Sequence, residues 1–288
     1  MTAKWPWLWL LVLVGFGCAG PAKTAVNMRE HAVSLNDAGY QYYRQSRWAL
    51  ARENFSQALK YNRLIDNRPG IAANLNNLGA IAQEQGDLAQ ARRDFQEALT
   101  IYQEDGDQVG IIEALNNLGA VYQAQGNLKE AEAAYRQAEG LVRLQPPGPL
   151  TSLTLMHLGD AARARGDYQY ALSLYSQALA LDQQKQDRRG EAVRWQRLGR
   201  TYLDLQEYGQ AANYLHQSLE EFRRLQDTNG IVDSLKGLTD LALAQGDRAA
   251  ALVYGERLLK IYQARGQSEE ARKLEAALKT GGGAPSRR

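Results

Sequence analysis

The stretch Ala72-Ala73-Asn74-Leu75-Asn76-Asn77-Leu78-Gly79-Ala80-Ile81-Ala82-Gln83-Glu84-Gln85-Gly86-Asp87-Leu88 decides the fold, because its parts return at fixed intervals along the chain. Gly79 is one of Gly39, Gly79, Gly119, Gly159 and Gly199, set forty residues apart, with Thr239 in the sixth place. Leucine precedes it at Leu78, Leu118, Leu158, Leu198 and Leu238. Alanine holds all six copies of another position: Ala51, Ala91, Ala131, Ala171, Ala211 and Ala251. A period in this range marks stacked copies of one supersecondary unit, so the unit must be read before the fold.

Within the quoted stretch, Leu75, Leu78 and Ala82 share one helical face. Gly86 suits the left-handed residue that ends a helix, and Asp87 suits the cap of the next. The segment from Leu88 to Gln103 then places Leu88, Ala91, Phe95, Ala98 and Leu99 on one stripe. Each unit is therefore a helical hairpin. Small residues at Gly79 and Ala91 let the two axes approach toward the lower end of about 8–10 Å, and Phe55, Phe95, Tyr135 and Tyr175 fill the remaining space. The turn recurs as Gly126-Asn127, Gly166-Asp167 and Gly246-Asp247, with Ser46-Arg47 in the first copy and Gln206-Glu207 in the fifth.

Leu-Gly, then Ala, then Phe or Tyr, then Ala resembles the tetratricopeptide repeat, whose usual period is about 34 residues. Here the added residues lie between units, as Asp105-Gly106-Asp107-Gln108-Val109-Gly110, Gln186-Asp187-Arg188-Arg189-Gly190 and Gln226-Asp227-Thr228-Asn229-Gly230. That is similar to the longer variant of kinesin-light-chain-like and related peptide-binding families. The resemblance implies an all-α, right-handed α-solenoid of about six helix-turn-helix units over residues 31–266. Residues 267–279 read as an amphipathic capping helix (Ala271, Leu274, Ala277, Leu278) and 280–288 as a disordered tail. Pro146-Pro147-Gly148-Pro149 replaces one linker and predicts a local irregularity.

The chain opens with Lys4 and an uncharged run from Trp5 to Gly17, too short to span a bilayer comfortably but fitting a signal-peptide core over residues 1–17. Gly15-Phe16-Gly17-Cys18-Ala19-Gly20 resembles the bacterial lipobox, with Gly15 where that motif usually has leucine. The resemblance implies a lipid on Cys18, a tether over residues 18–30 and, with Ala19 next, the periplasmic face of the outer membrane. An ordinary signal peptide cleaved near Ala19 or Ala22 and an uncleaved anchor are the alternatives. Cys18 is the sole cysteine, so no intrachain disulfide can form.

A formal net charge of +2 gives no field to draw in nucleic acid. His31, His157 and His216 are scattered without companion ligands, and no phosphate-binding glycine loop or serine elbow occurs. The reading is a chain without catalysis, cofactor, metal or small-molecule substrate.

In tetratricopeptide arrays the first helix of each unit lines the concave face. By that resemblance the groove carries Asn36, Asp37 and Tyr40; Asn76, Asn77 and Ala80; Asn116, Asn117 and Ala120; Met156, His157 and Asp160; Gln196, Arg197 and Arg200; and Lys236, Gly237 and Asp240. Gln83, Gln123 and Arg163 follow one turn later. Asparagine amides both donate and accept, matching an extended peptide backbone. Arg163, Arg197, Arg200 and Lys236 suit carboxylates. The expectation is a protein-interaction scaffold of the bacterial envelope that holds a peptide or protein partner in this groove. A pilotin-like assembly factor for an outer-membrane complex, or a regulator of a peptidoglycan enzyme, are the alternatives.

Overall fold

The computed structural model describes residues 21–280, so the expected signal segment over residues 1–17, Cys18 and the tail from residue 281 lie outside the described residues. Among the described residues there are thirteen helices and no strand. They are α1 (Pro21–Arg44), α2 (Trp48–Leu64), α3 (Arg68–Glu84), α4 (Leu88–Asp105), α5 (Gln108–Ala124), α6 (Leu128–Val142), α7 (Pro149–Ala164), α8 (Tyr168–Lys185), α9 (Arg188–Asp204), α10 (Tyr208–Arg224), α11 (Thr228–Gln245), α12 (Arg248–Ala264) and α13 (Ser268–Thr280). Each odd helix pairs with the following even one, giving six hairpins, and α13 packs on α12. From α3 onward, successive odd helices also touch one another up to α11, while no two even helices do so to a similar extent. The odd helices therefore line the inner, concave wall of an α-solenoid.

The turns follow their local chemistry. Asp87, Asp107, Asp167, Asp187, Asp227 and Asp247 each accept a backbone N–H at the start of the next helix. Gly86, Gly106, Gly126, Gly166, Gly246 and Gly266 take the left-handed conformation ahead of such turns. Ser46, Asp66, Gln186, Gln206 and Gln226 adopt it without being glycine, at a local cost that packing on both sides sustains.

The repeated glycine packs differently from the sequence expectation. It does not simply face the repeated alanine; it is the floor under the ring of the same hairpin. A Cβ on Gly39, Gly79, Gly119 or Gly159 would lie 2.6, 2.8, 2.3 or 2.5 Å from Phe55, Phe95, Tyr135 or Tyr175. All four rings are fully buried, each contributing about 1.5–3 kcal/mol. A second set of seats joins adjacent hairpins: Gly110 lies under Tyr102, Gly230 under Phe222, Gly70 under Asn62 and Gly190 under Asp182. These glycines are again forty residues apart, with Leu150 in the missing place.

The ends depart from this scheme for a visible reason. In the sixth hairpin Thr239 stands where glycine would be and bonds its own helix through Oγ1 to the Leu235 carbonyl at 2.8 Å. Gly255 takes the ring position, and Leu278 of α13 packs against it. The capping helix thus supplies the side chain that the last hairpin lacks. At the other end, the tether expected through residue 30 is helical from Pro21 onward. Proline suits a first helical position, and no glycine or further proline follows before Gly39 to interrupt the helix. Between the third and fourth hairpins α6 stops at Val142 and α7 begins at Pro149. Thr151 Oγ1 accepts the Gly148 N–H at 3.2 Å there.

Candidate functional site

The concave wall is a ladder of side chains reaching from one odd helix to the next. Near the N-terminus its rungs are amides. Asn74 and Asn77 of α3 donate to Asn36 Oδ1 of α1 at 2.9 and 3.3 Å. Tyr40 donates to Asn77 Oδ1 at 3.1 Å, and Asn117 of α5 donates to Asn76 Oδ1 at 2.9 Å. Toward the C-terminus the rungs are charged. Arg197 Nε of α9 lies 2.9 Å from Asp160 Oδ1 of α7, which also accepts the Tyr175 hydroxyl at 2.7 Å. Arg163 Nε lies 2.6 Å from Asp204, and Arg200 donates to the Asp233 carbonyl at 3.3 Å.

Two corrections to the sequence reading follow. Asn77, Asn116 and Gln196, expected in the groove, are only 9 %, 1 % and 4 % exposed, and the Asn77 amide is already bonded to Tyr40 and Asn36. A side chain three residues before the glycine points toward the next odd helix, so Asn116 Nδ2 bonds Thr154 Oγ1 at 2.9 Å inside the seam. Gln196 accepts from Arg197 at 2.9 Å. Lys236, at the same position on the last odd helix, has no such neighbour and is exposed. Second, the C-terminal half is not a free basic surface. Asp160 pairs with Arg197 and Asp204 with Arg163, and the charges of Asp233 and Asp240 bear on Arg200, with Lys236 opposite Asp240.

The electrostatics reflect this pairing. The Asp160 carboxylate holds the Arg197 guanidinium firmly charged. Burial pulls Arg200 down, opposed by Asp240; burial pushes the Asp240 carboxyl up, opposed by Arg200 and Lys236. His157 stacks on Tyr135 with ring centroids 5.2 Å apart and planes within 2° of parallel. Burial lowers its pKa to about 4, with Asp160 opposing and Arg197 and Arg194 adding to the effect. The ring is therefore neutral at neutral pH. Beside it a cavity of about 600 Å³ opens between α5 and α7, bounded by Ala120, Gln123, Ala124, Leu128, Tyr135, His157, Asp160 and Ala164 among others.

The structure thus brings Asn36, Asn76, Asn77 and Asn117 together at one end and Arg163, Arg197 and Arg200 at the other, with His157 between them. Sequence reasoning missed Asp204 and Asp233 as groove partners. Asp204 was accessible to it, being five residues past Gly199 in the register of Ala124 and Ala164. It also missed the network below the groove, where Arg194 Nε lies 3.1 Å from Asp182 and Ser152 donates to Asp182 at 2.5 Å. Among the described residues, no three His, Cys, Asp or Glu side chains gather as a metal site, and no helix is long and apolar enough to cross a membrane.

The family model for the MalT-like TPR region matches residues 109–277, and a second tetratricopeptide repeat model matches residues 30–104. The chain belongs to the tetratricopeptide-repeat family. Curated protein sequences contain no significant match. Solved structures similar to this tetratricopeptide-repeat chain include the APC/C hetero-tetramer Cut9-Hcn1, at 19% identity and TM-score 0.69, covering 89% of this chain and 45% of that one. A STAND signal-transduction ATPase with a tetratricopeptide repeat sensor from Pyrococcus horikoshii matches at 16% identity and TM-score 0.64, covering 84% and 38%. PilF of Pseudomonas aeruginosa matches at 19% identity and TM-score 0.56, covering 87% and 99%. The chain spans less than half the length of the first two, and identities at this level speak to the fold.

Proposed function

We propose that this tetratricopeptide-repeat protein is a non-catalytic scaffold whose concave groove holds an extended segment of a partner protein. The observation that carries the reading is the unspent hydrogen-bonding capacity of the Asn76–Asn117 rung. Among the described residues, Asn76 uses only its carbonyl oxygen there and Asn117 only its amide N–H. A half-buried donor and a half-buried acceptor thus remain side by side, the complement of one peptide group. The paired arginines further along recognise a partner carboxylate only by exchanging it for Asp160 or Asp204, which favours selectivity over affinity.

In this reading the protein works in the bacterial envelope, held to the periplasmic face of the outer membrane by lipid on Cys18. Two or more acyl chains at about 0.8 kcal/mol per buried methylene anchor a protein stably. Globomycin, or Cys18→Ala, is expected to alter processing and release the protein from membranes; unchanged processing and fractionation overturn the anchor.

The groove is tested with a photo-crosslinking residue at Ala80 or Ala120 and, as a control, at Gln96 on the outer wall. The expected result is a partner adduct from the two groove positions alone. Asn76→Ala with Asn117→Ala should abolish it at unchanged helicity. Equal capture at Gln96, or capture indifferent to the asparagines, overturns the groove reading. A single stoichiometric partner identifies an assembly factor, and several substoichiometric ones identify an adaptor.

A further inference from the structure

Side chains at groove level tie α1 to α3, α3 to α5, α7 to α9 and α9 to α11. Among the described residues, the step from α5 to α7 alone has no such rung. In the forty-residue register, the Asn76–Asn117 rung would be repeated by Asn116 with His157. Instead His157 turns to stack on Tyr135 of α6, and Asn116 makes the α5–α7 bond lower down, in the buried seam. The missing rung leaves the cavity of about 600 Å³ described above, within the range of pockets that take a ligand group.

We propose that this opening is a side-chain pocket that accepts one uncharged aromatic residue of the bound segment, so that the groove selects its partner by an aromatic anchor between the third and fourth hairpins. The inference rests on the groove reading above and deepens it.

Three observations fix the occupant's chemistry. The first is shape: Ala120, Ala124 and Ala164 are small where the next step of the ladder has Asp160, Ala164 and Asp204, so the space is filled by charged side chains there and left open here. The second is charge. The only carboxylate on the wall, Asp160, already holds Arg197 and the Tyr175 hydroxyl. A cation would have to compete with Arg197, and an anion would meet Asp160, so an uncharged group is favoured. The third is the platform. His157, backed by the fully buried Tyr135 ring on which it stacks, presents a flat wall, and stacking on such a wall favours an aromatic over an aliphatic side chain. Tyr135 is fixed in place by its seat on Gly119 and by its hydroxyl bond to Gln123 at 3.3 Å.

The test uses the full chain. A phage-displayed library of random twelve-residue peptides is selected on the wild type, and N-acetyl-tryptophanamide is titrated separately with the His157 ring resonances as readout. Enriched peptides are expected to share one aromatic residue, and its replacement by alanine should weaken binding about tenfold. Ala164→Trp, which fills the pocket from an exposed position, should do the same and abolish the His157 response to N-acetyl-tryptophanamide. Peptides that bind through Asn76 and Asn117 without an aromatic residue, and ignore Ala164→Trp, overturn the pocket while leaving the groove intact. A His157 response without any enriched peptide supports the pocket and counts against the groove. Neither enrichment nor a response overturns both.

Discussion

Arg197 on α9 reaches over the groove to Asp160 on α7, with Nε 2.9 Å from Oδ1, and the same oxygen takes the hydroxyl of Tyr175 from below. One carboxylate therefore couples a surface rung to a buried ring seated on Gly159. The charged half of the groove is built from the core outward, which separates it from an ordinary solvated face.

That coupling is measurable. A double-mutant cycle of Asp160→Asn and Arg197→Met, read by urea unfolding, should give an interaction of about 1–2 kcal/mol, above the range of exposed pairs because both partners are partly desolvated. An interaction below about 0.3 kcal/mol would show that the rung is decoration.

The seam between the fourth and fifth hairpins makes a sharper case. Asp182 and Arg194 form a nearly solvent-free ion pair, with Ser152 bonded to both. Arg194→Ala alone should cost about 3–5 kcal/mol, because it strands a buried carboxylate. The equivalent positions between the second and third hairpins are Tyr102, Ala114 and Ala72. Transplanting that set as Asp182→Tyr, Arg194→Ala and Ser152→Ala should restore stability to within about 1 kcal/mol of wild type. Thermal unfolding of the two variants decides it; a triple variant as unstable as the single one would show that the seam is not interchangeable.

Two backbone positions should respond with opposite signs. Gly119→Ala places a Cβ 2.3 Å from Tyr135 Cε1 and should cost about 1–3 kcal/mol. Gln206 holds φ at 61°, so Gln206→Gly should add about 0.5–1 kcal/mol by relieving the left-handed strain. Denaturant midpoints of both variants against wild type are the check, and a stabilising Gly119→Ala would contradict the seat.

His157 gives the pH dependence. Its native pKa of about 4 lies below the unfolded value, which is near 6.5. Above about pH 6.5 both states are neutral there and the residue adds no pH dependence. As pH falls from about 6.5 to about 4 the unfolded chain takes up a proton that the folded chain refuses, so stability declines. His157→Phe should remove this component, on the order of 2 kcal/mol by pH 4. Unfolding free energies at pH 7 and pH 4.5 test it. An equal loss in the two proteins would place the titration elsewhere.

The hairpins were legible from the register alone, since leucine, glycine and alanine return at positions whose spacing suits only packed helices. Capping aspartates and left-handed glycines were legible too, because their effects are local. The exchange at the sixth hairpin, with Thr239 for glycine and Gly255 for the ring, was visible in the letters. Its meaning was not, since Leu278 that fills the space comes from another helix. The groove was half legible: the register identified its helices and most of its positions, but not which amides were already spent. Asn116 and Asn76 share one position in the repeat and have different fates, one closed in a seam by Thr154 and one left half-exposed.

The sequence by itself determined the unit, its number of copies and the small residues on which rings sit, because a regular period and local turn chemistry need no knowledge of distant neighbours. Only the tertiary structure decided that Arg197 and Arg163 are neutralised by Asp160 and Asp204, that one rung of the ladder is missing, and that the cavity lies there. Those outcomes depend on side chains about forty residues apart meeting across adjacent helices, where a single change of partner alters what remains free to bind.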